Sequence, residues 1–203
     1  MLTGIEYAHS EEKRRFDRYA VRLARPFAYA AQQALAFGSD TDPVFLQTRI
    51  GAHGKPFDAY KLRTLRDDGV TPINETAAFM RRAGLDELIQ YKNILDGKMS
   101  MVARRPLTPL EYDEAFDEVP LSTVEDYLKI VVPTRPGLVG SFVIATHLGE
   151  IPDHAMRLKR LEMDIQDVID GSYNNDKRLF WSAVAKGFGN KMKRGDIRPR
   201  EAV

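Results

Sequence analysis

The stretch of sequence that decides the fold is EEKRRFDRYAVRLARPFAYAAQQALAF, residues 11–37. Apolar side chains recur along it at helical spacing, and arginines occupy a second face. The apolar positions are Phe16, Ala20, Leu23, Phe27, Ala31 and Ala34, and the arginines are Arg14, Arg18, Arg22 and Arg25. This spacing predicts one long amphipathic helix from Glu11 to Phe37.

Pro26 lies inside this predicted helix. A proline there removes one backbone hydrogen bond and its ring clashes with the preceding turn, so we expect a kink or a break. Two roles fit such a helix. Its apolar face can pack on the domain core, or the helix can lie in a membrane interface with its arginines towards anionic headgroups.

The remainder of the chain predicts one β-hairpin and several helices. Val44 to Ile50 and Pro56 to Leu62 are strand-like and are joined by a glycine-containing turn. We expect helices at residues 74–83, with Asn74 as the cap, and at 86–95, 109–117, 122–130, 153–169 and 176–193. The prolines and glycines of residues 131–140 predict an ordered loop, and residues 198–203 a loose tail.

A chain of 203 residues favours one domain. The predicted fold class is therefore α/β and mostly helical, a single small domain with a β-hairpin and a long, proline-broken amphipathic N-terminal helix. No apolar run reaches the eighteen or so residues of a spanning helix, and the polar N-terminus is unlike a signal peptide. These features lead us to expect a protein on the cytoplasmic side.

Composition narrows the classes of function. The formal net charge is only +1, which removes the expectation of a nucleic-acid partner that a strongly basic domain would carry. The chain has no cysteine, so thiol nucleophiles and zinc–thiolate sites are excluded. The 4 histidines are scattered without metal-binding spacing. A metal would therefore be held by carboxylates and phosphate, which favours magnesium or manganese.

Two adjacent carboxylates, Asp86 and Glu87, follow Arg81 at a predicted helix start. Backbone N–H groups and arginines can converge there on an anionic ligand. Acidic residues are also ordinary in a first helical turn, so a purely structural role stays open.

Further cations could serve a phosphate. Lys61 and Arg63 lie two residues apart and share a face of the predicted strand, which suits a diphosphate, although basic residues also protect strand edges. Arg104 and Arg105 follow an apolar run and precede Pro106. The planar guanidinium makes paired, charge-assisted hydrogen bonds to phosphate.

The order and spacing of these motifs resemble a known family, the bacterial sugar transferases, which are monotopic phosphoglycosyltransferases. The resemblance runs from residue 13 to about residue 140. The matching stretches are Lys13–Asp17, Arg25-Pro26, Asp42–Gln47, Arg49–Gly51, Gly54–Phe57, Tyr60–Thr64, Leu85–Leu88, Asn93–Ser100, Arg105–Leu107 and Arg135–Gly137, with a weaker echo in Asp164, Val168, Ser172 and Asp176.

The resemblance implies a two-step transfer of a sugar-1-phosphate from a UDP-sugar to polyprenyl phosphate. By this resemblance, Asp86 is the nucleophile, Glu87 is its partner acid, and Arg105 and Arg81 bind the phosphate. Further candidates for phosphate or substrate binding are Lys61, Arg63 and Arg135. The cofactor implied is Mg²⁺, with Asp86 as its protein ligand. Residues 38–197 are then the catalytic domain. The partners implied are a nucleotide sugar, polyprenyl phosphate, the membrane surface and, as a homodimer, a second copy of the chain.

The sequence also departs from the family pattern. Arg25 stands where a helix-breaking serine is usual, and Arg18 and Arg22 lie in a segment that is otherwise almost wholly apolar. An arginine at membrane depth costs about 2.5–3.5 kcal/mol on insertion scales. We therefore expect a peripheral or shallowly inserted protein at the cytoplasmic face of the bacterial inner membrane. Two alternatives stay open: a nucleotide-sugar-binding relative with little catalysis, acting as a regulatory or partner module, and a basic interaction protein whose long helix pairs with a partner helix.

Overall fold

A computed structural model describes residues 2–37, 42–148 and 156–189. Its elements confirm a mostly helical α/β domain with a hairpin and one long N-terminal helix. The helices are α1 (Gly4–His9), α2 (Glu11–Ala36), α3 (Glu75–Ala83), α4 (Tyr91–Leu95), α5 (Pro109–Glu114), α6 (Leu121–Asp126), α7 (Ser141–Leu148), α8 (Met156–Ile169) and α9 (Tyr173–Gly189), and the strands are β1 (Val44–Ile50), β2 (Pro56–Leu62), β3 (Ser100–Val102) and β4 (Gly137–Val139).

Ser10 caps the N-terminus of helix α2, and its hydroxyl accepts a hydrogen bond from the backbone N–H of Lys13. The helix runs without interruption from Glu11 to Ala36, so Pro26 does not break it, and a kink there stays a prediction. Pro26 and Arg22 both lie on the exposed side of the helix. The carbonyl of Arg22, which proline leaves without its helical donor, can therefore be satisfied by water, and the helix continues.

The buried face of α2 agrees in part with the one that the periodicity predicts. The predicted positions Phe16, Ala20 and Ala31 are buried. Leu23 and Phe27, however, are 38% and 57% exposed, and Ala24 and Ala28 are buried instead. Small side chains let the helix approach its neighbours closely, and α2 packs directly on residues 85–90. No helix in the described stretches is both long and apolar enough to cross a bilayer.

The predicted hairpin is confirmed. Strands β1 and β2 pair antiparallel, with Val44 opposite Leu62 and Ile50 opposite Pro56. Residues Ala52–Gly54 between them form a single 3₁₀ turn in which His53 has a φ of 56°. Because the register alternates faces, Lys61 and Arg49 lie on the same side of the hairpin.

A short parallel pair was not predicted. Strand β3 pairs with β4, which lies inside the segment expected to be a loop. Each strand has three residues, too few for a periodicity to show. Gly137 is required here, because a Cβ on it would lie 2.5 Å from the backbone nitrogen of Ala103. The pair brings the turn after β3 next to residues 137–139.

The remaining helices broadly follow the prediction, with different ends. Helix α5 ends at Glu114 rather than residue 117, and the helix expected at 122–130 is α6 followed by a single π-helical turn, Tyr127–Val131. Helices α1 and α7 were not predicted. Residues 153–155 and 190–193, the expected outer ends of α8 and α9, lie outside the described residues, as does the expected tail at 198–203.

Two buried ion pairs join the first helices to the rest of the domain. The ammonium of Lys13 on α2 pairs with Asp176 on α9, and that carboxylate also accepts a hydrogen bond from the Tyr7 hydroxyl at 2.9 Å. One turn further along α2, Asp17 pairs with Arg135 at 3.2 Å and accepts a hydrogen bond from the backbone N–H of Met101. The N-terminal helices are therefore an integral part of the core.

We predict that Lys13→Met lowers the free energy of unfolding by about 3–5 kcal/mol, because it leaves the Asp176 carboxylate buried without its cation. Urea denaturation measures the loss. Arg14→Met, on the exposed face one residue away, should change the free energy by less than about 0.5 kcal/mol. The double variant Lys13→Met/Asp176→Leu should recover much of the loss, since apolar replacement of both ions removes the stranded charge. Wild-type stability in Lys13→Met would contradict this.

Candidate active site

The two candidate carboxylates lie in a 3₁₀ segment, Leu85–Gln90, which leads directly into α4. The helix predicted from Asp86 to Leu95 is thus a 3₁₀ segment followed by an α-helix. Gly84 ends α3 in the left-handed conformation with a φ of 62°, and this turn directs the chain into the segment. Helix α2 covers the back of the segment, so the carboxylates are fixed by the core behind them.

Glu87 is held by Arg105 through both of its oxygens. The guanidinium Nη1 and Nη2 donate to Oε2 and Oε1 at 2.6 and 2.7 Å, and the Lys61 ammonium lies 3.7 Å from Oε1. Burial alone would raise the pKa of Glu87, but the charges of Arg105 and Lys61 and the hydrogen bonds from Arg105 outweigh it and lower the pKa to about 2. Glu87 is therefore ionised at neutral pH and engaged on both oxygens.

Asp86 has a different environment. It is 6% exposed, and among the described residues no other side chain hydrogen-bonds its carboxylate. Burial and the neighbouring charge of Glu87 raise the pKa of Asp86 to about 6, against opposing contributions from Lys61 and Arg81. At neutral pH Asp86 is mostly ionised, and its oxygens remain available to a ligand.

Two further arginines surround Arg105, and neither was a candidate from the sequence. Arg49 on β1 is 7% exposed and pairs with Glu111 at 3.0 Å. Arg160 on α8 donates to the Arg105 carbonyl at 3.4 Å and lies 5.3 Å over the Phe142 ring. Arg49 falls within a stretch that resembles the family, but its type and spacing alone do not distinguish it from a surface arginine.

The structure brings four of the seven sequence candidates into direct contact or close proximity: Asp86, Glu87, Lys61 and Arg105. Arg81 acts on Asp86 electrostatically, and its guanidinium lies 3.5 Å from the Thr64 hydroxyl.

The other two candidates lie elsewhere. Arg63 follows the end of β2, is exposed, and stacks 5.5 Å over the Phe45 ring. Arg135 is engaged by Asp17 and by the Met99 carbonyl, at 3.2 Å in each case. The shared face expected for Lys61 and Arg63 ends with the strand at Leu62.

A small open pocket adjoins the Glu87–Arg105 pair. It is lined by Arg49, Glu87, Gln90, Arg105, Pro106, Gly137 and Leu138. The guanidiniums of Arg49 and Arg105 on its wall suit an anionic group such as a phosphate.

A model of the family described as bacterial sugar transferase matches residues 12–190. The chain belongs to the bacterial sugar transferase family.

Characterised and uncharacterised relatives agree with this membership. One is the UDP-glucose:undecaprenyl-phosphate glucose-1-phosphate transferase of Escherichia coli K12, which is 31% identical over 180 residues, 83% of this chain and 38% of the relative. The Klebsiella pneumoniae protein of the same name is 29% identical over 83% of this chain and 37% of its own length. An uncharacterised sugar transferase of Bacillus subtilis is 36% identical over 154 residues, 71% of this chain and 69% of the relative. The chain thus spans a little over a third of the length of the first two relatives.

The described carboxylates of this sugar transferase could hold a divalent cation only together with substrate phosphates. In the described parts of the chain no three His, Cys, Asp or Glu side chains cluster as a metal cage. Magnesium, however, is commonly held by one or two carboxylates together with substrate phosphates. Since both oxygens of Glu87 are occupied, Asp86 is the carboxylate that could contribute.

We predict that Glu87→Gln lowers the free energy of unfolding by about 3 kcal/mol at pH 7 in the absence of divalent cations. The magnitude follows from the pKa of Glu87, which the folded protein lowers from 4.5 to about 2. Because the folded pKa lies below the unfolded one, the difference from wild type is fully present above about pH 4.5. It is lost as the pH falls towards 2.

Urea denaturation at several pH values, with a chelator present, checks this pH dependence. The control is Glu125→Gln, which removes an exposed carboxylate and should leave stability within about 0.5 kcal/mol of wild type at each pH. A difference for Glu87→Gln that is constant with pH would contradict the prediction.

Proposed function

We propose that this sugar transferase moves a sugar-1-phosphate from a UDP-sugar to polyprenyl phosphate through a covalent phosphosugar on Asp86, in bacterial polysaccharide or glycoconjugate assembly. The observation that carries the proposal is the division of roles between two adjacent carboxylates. Both oxygens of Glu87 are held by a bidentate arginine, whereas no other described side chain hydrogen-bonds the carboxylate of Asp86. The names of the relatives, which specify transfer of glucose-1-phosphate to undecaprenyl phosphate, support the same reaction class.

The cations of the site suit a diphosphate donor. Arg49 on β1 and Arg105 after β3 line the pocket, and Lys61 on β2 contacts Glu87 beside it. Arg81 acts on Asp86 electrostatically. Glu87 and Glu111 hold two of these cations in fixed geometry. Cations placed in advance stabilise the charge of a transferring phosphoryl group without reorganising during the reaction.

In the first step a carboxylate oxygen of Asp86 forms a bond to the β-phosphorus of the UDP-sugar. The bond from that phosphorus to the bridging oxygen of UMP breaks, and UMP leaves with the electron pair. In the second step a phosphate oxygen of the polyprenyl phosphate bonds to the same phosphorus, and the Asp86 carboxylate is released. Splitting one difficult transfer into two displacements is the benefit of covalent catalysis.

Glu87 acts differently in this scheme. Attack by Glu87 would first require breaking two hydrogen bonds of 2.6 and 2.7 Å to Arg105. Its role is to hold Arg105 in place and to supply negative charge beside Asp86, which keeps the pKa of that carboxyl raised and its oxygens more basic. Bound Mg²⁺, with Asp86 as its protein ligand, would neutralise the charge of the donor phosphates.

We predict that Asp86→Asn lowers UMP release by roughly 10³-fold or more, because an amide is a far weaker nucleophile of nearly the same shape. UMP release is measured over a panel of UDP-sugars with magnesium. Intact-mass spectrometry without acceptor should show one added sugar phosphate on the wild type and none on Asp86→Asn, and peptide mapping should place it at residue 86.

The control for this experiment is Asp96→Asn, which removes an exposed carboxylate just after α4 and should retain the adduct and the rate. Robust UMP release by Asp86→Asn, or an adduct mapped to another residue, would overturn the mechanism. Nucleotide-sugar binding without any release would favour the binding-module alternative.

The outer face of α2 supports a membrane surface as a partner. Five arginines, at positions 14, 15, 18, 22 and 25, are exposed there. Beside them Tyr19, Leu23 and Phe27, four residues apart, are 42%, 38% and 57% exposed. Adjacent basic and apolar rows on one helix are typical of binding in the headgroup layer, and they support our proposal of a peripheral site at the cytoplasmic face without a deep insertion.

We predict that Arg14→Gln/Arg22→Gln/Arg25→Gln weakens binding to phosphatidylglycerol-containing vesicles by roughly 100-fold, at about 1 kcal/mol for each arginine near an anionic surface. Vesicle flotation measures this, and high salt should release the wild type. The matched control is Arg66→Gln/Lys98→Gln/Lys129→Gln, which removes the same charge at exposed positions outside α2. Equal loss in both triple variants, or wild-type binding resistant to salt, would contradict a peripheral headgroup site.

A further inference from the structure

The turn that carries Arg105 presents two consecutive carbonyl groups to two arginines from distant parts of the chain. Arg160 on α8 donates through Nη2 to the Arg105 carbonyl at 3.4 Å. Arg49 on β1 donates through Nη1 to the next carbonyl, that of Pro106, at 3.2 Å. The turn is thus contacted from two sides by guanidinium groups.

Arg104, the residue before Arg105, anchors the same turn through further hydrogen bonds. Arg104 is 2% exposed, and its Nη2 donates to the Gly51 carbonyl at 2.9 Å. Its own carbonyl accepts a hydrogen bond from the backbone N–H of Gly137 at 2.6 Å. With Arg104 anchored inward, the Arg105 side chain is directed to Glu87.

Gathering these guanidiniums has an energetic cost. Burial and the charge of Arg105 contribute to lowering the pKa of Arg160, which Asp164 and Glu111 only partly offset. Among the described residues the buried Nε of Arg160 has no hydrogen-bond partner. Energetically costly local arrangements cluster at functional sites, which makes these arginines candidates for such a role.

Arg49 and Arg160 differ in their relation to the pocket. Arg49 is part of its wall and can meet a ligand directly, whereas Arg160 is not among the lining residues. Among the described residues, the hydrogen bond from Arg160 to the site is the one to the Arg105 carbonyl, and its guanidinium lies over the Phe142 ring. The charge of Arg160 also contributes to lowering the pKa of Arg49. Combining substitutions at positions 160 and 105 separates an effect that passes through Arg105 from this charge effect.

We propose that Arg160 is a positioning residue for Arg105: by holding the Arg105 carbonyl from α8, it fixes the guanidinium that receives the donor diphosphate. The proposal rests on the proposed function for the identity of the donor, but not for the coupling between the two arginines. A shift of about 1 Å in a substrate-holding group is enough to cost roughly 100-fold in rate, so a carbonyl contact of this kind has consequences at the site.

The test is a double-mutant cycle with inorganic pyrophosphate as the probe, measured by calorimetry on the full chain. Arg160→Gln should weaken pyrophosphate binding by roughly tenfold in the wild-type background. In an Arg105→Lys background, where the bidentate guanidinium is already lost, the same substitution should cost less than about threefold. Kinetics with the UDP-sugar should show the loss mainly in KM.

Three comparisons separate positioning from other roles. Arg157→Gln, an exposed position on the same helix, should leave binding unchanged. Arg160→Lys keeps the charge but not the planar group on Phe142, so it should recover only part of the loss. If Arg160→Gln does not fold, as judged by its melting curve, Arg160→Lys takes its place in the cycle.

An equal loss in both backgrounds would overturn the proposal, since Arg160 would then act independently of Arg105. Full recovery by Arg160→Lys would also overturn it, because charge alone would then explain the effect. Coupled pyrophosphate binding without UMP release would leave the positioning role intact and would remove the proposed transfer reaction instead.

Discussion

A carboxylate and a guanidinium placed together with little access to water have to neutralise one another, and in this protein Glu87 and Arg105 do so with two short hydrogen bonds. The pair joins the 3₁₀ segment before α4 to the turn after β3. The Lys61 ammonium lies near Glu87. Arg49 lies near the same pair and forms its own ion pair with Glu111. Removing either member of such a pair leaves an uncompensated charge, so the geometry of the whole site depends on the two being present together.

The same pair explains why two neighbouring carboxylates differ chemically. Glu87 has a pKa near 2 and Asp86 one near 6, although they are adjacent in sequence and similarly buried. The difference between the two pKa values arises from the positions of the surrounding cations rather than from the residue types. Environments that separate the pKa values of paired acids are a common basis for assigning distinct roles in catalysis.

Local sequence patterns predicted much of the fold, including the hairpin and helices α2 and α3. The periodicity of α2 identified a helix and part of its buried face. It misplaced Leu23 and Phe27, which are exposed because small alanines form the central packing surface of the helix. Strands β3 and β4 were missed, since three residues carry no pattern and their pairing is between distant segments. Of the site candidates, Asp86, Glu87, Lys61 and Arg105 lie together, whereas Arg63 and Arg135 lie elsewhere. Arg160 was not a candidate, because its place depends on α8 packing beside the turn.

The buried pair of Lys13 and Asp176 limits how this chain can change over generations. If one member is replaced first, the other is left as a buried charge without its partner, which lowers the free energy of unfolding by about 3–5 kcal/mol. Natural domains have a total stability of only about 5–15 kcal/mol. Such an intermediate would rarely persist. Helices α2 and α9 should therefore evolve as one unit, with positions 13 and 176 substituted together or not at all.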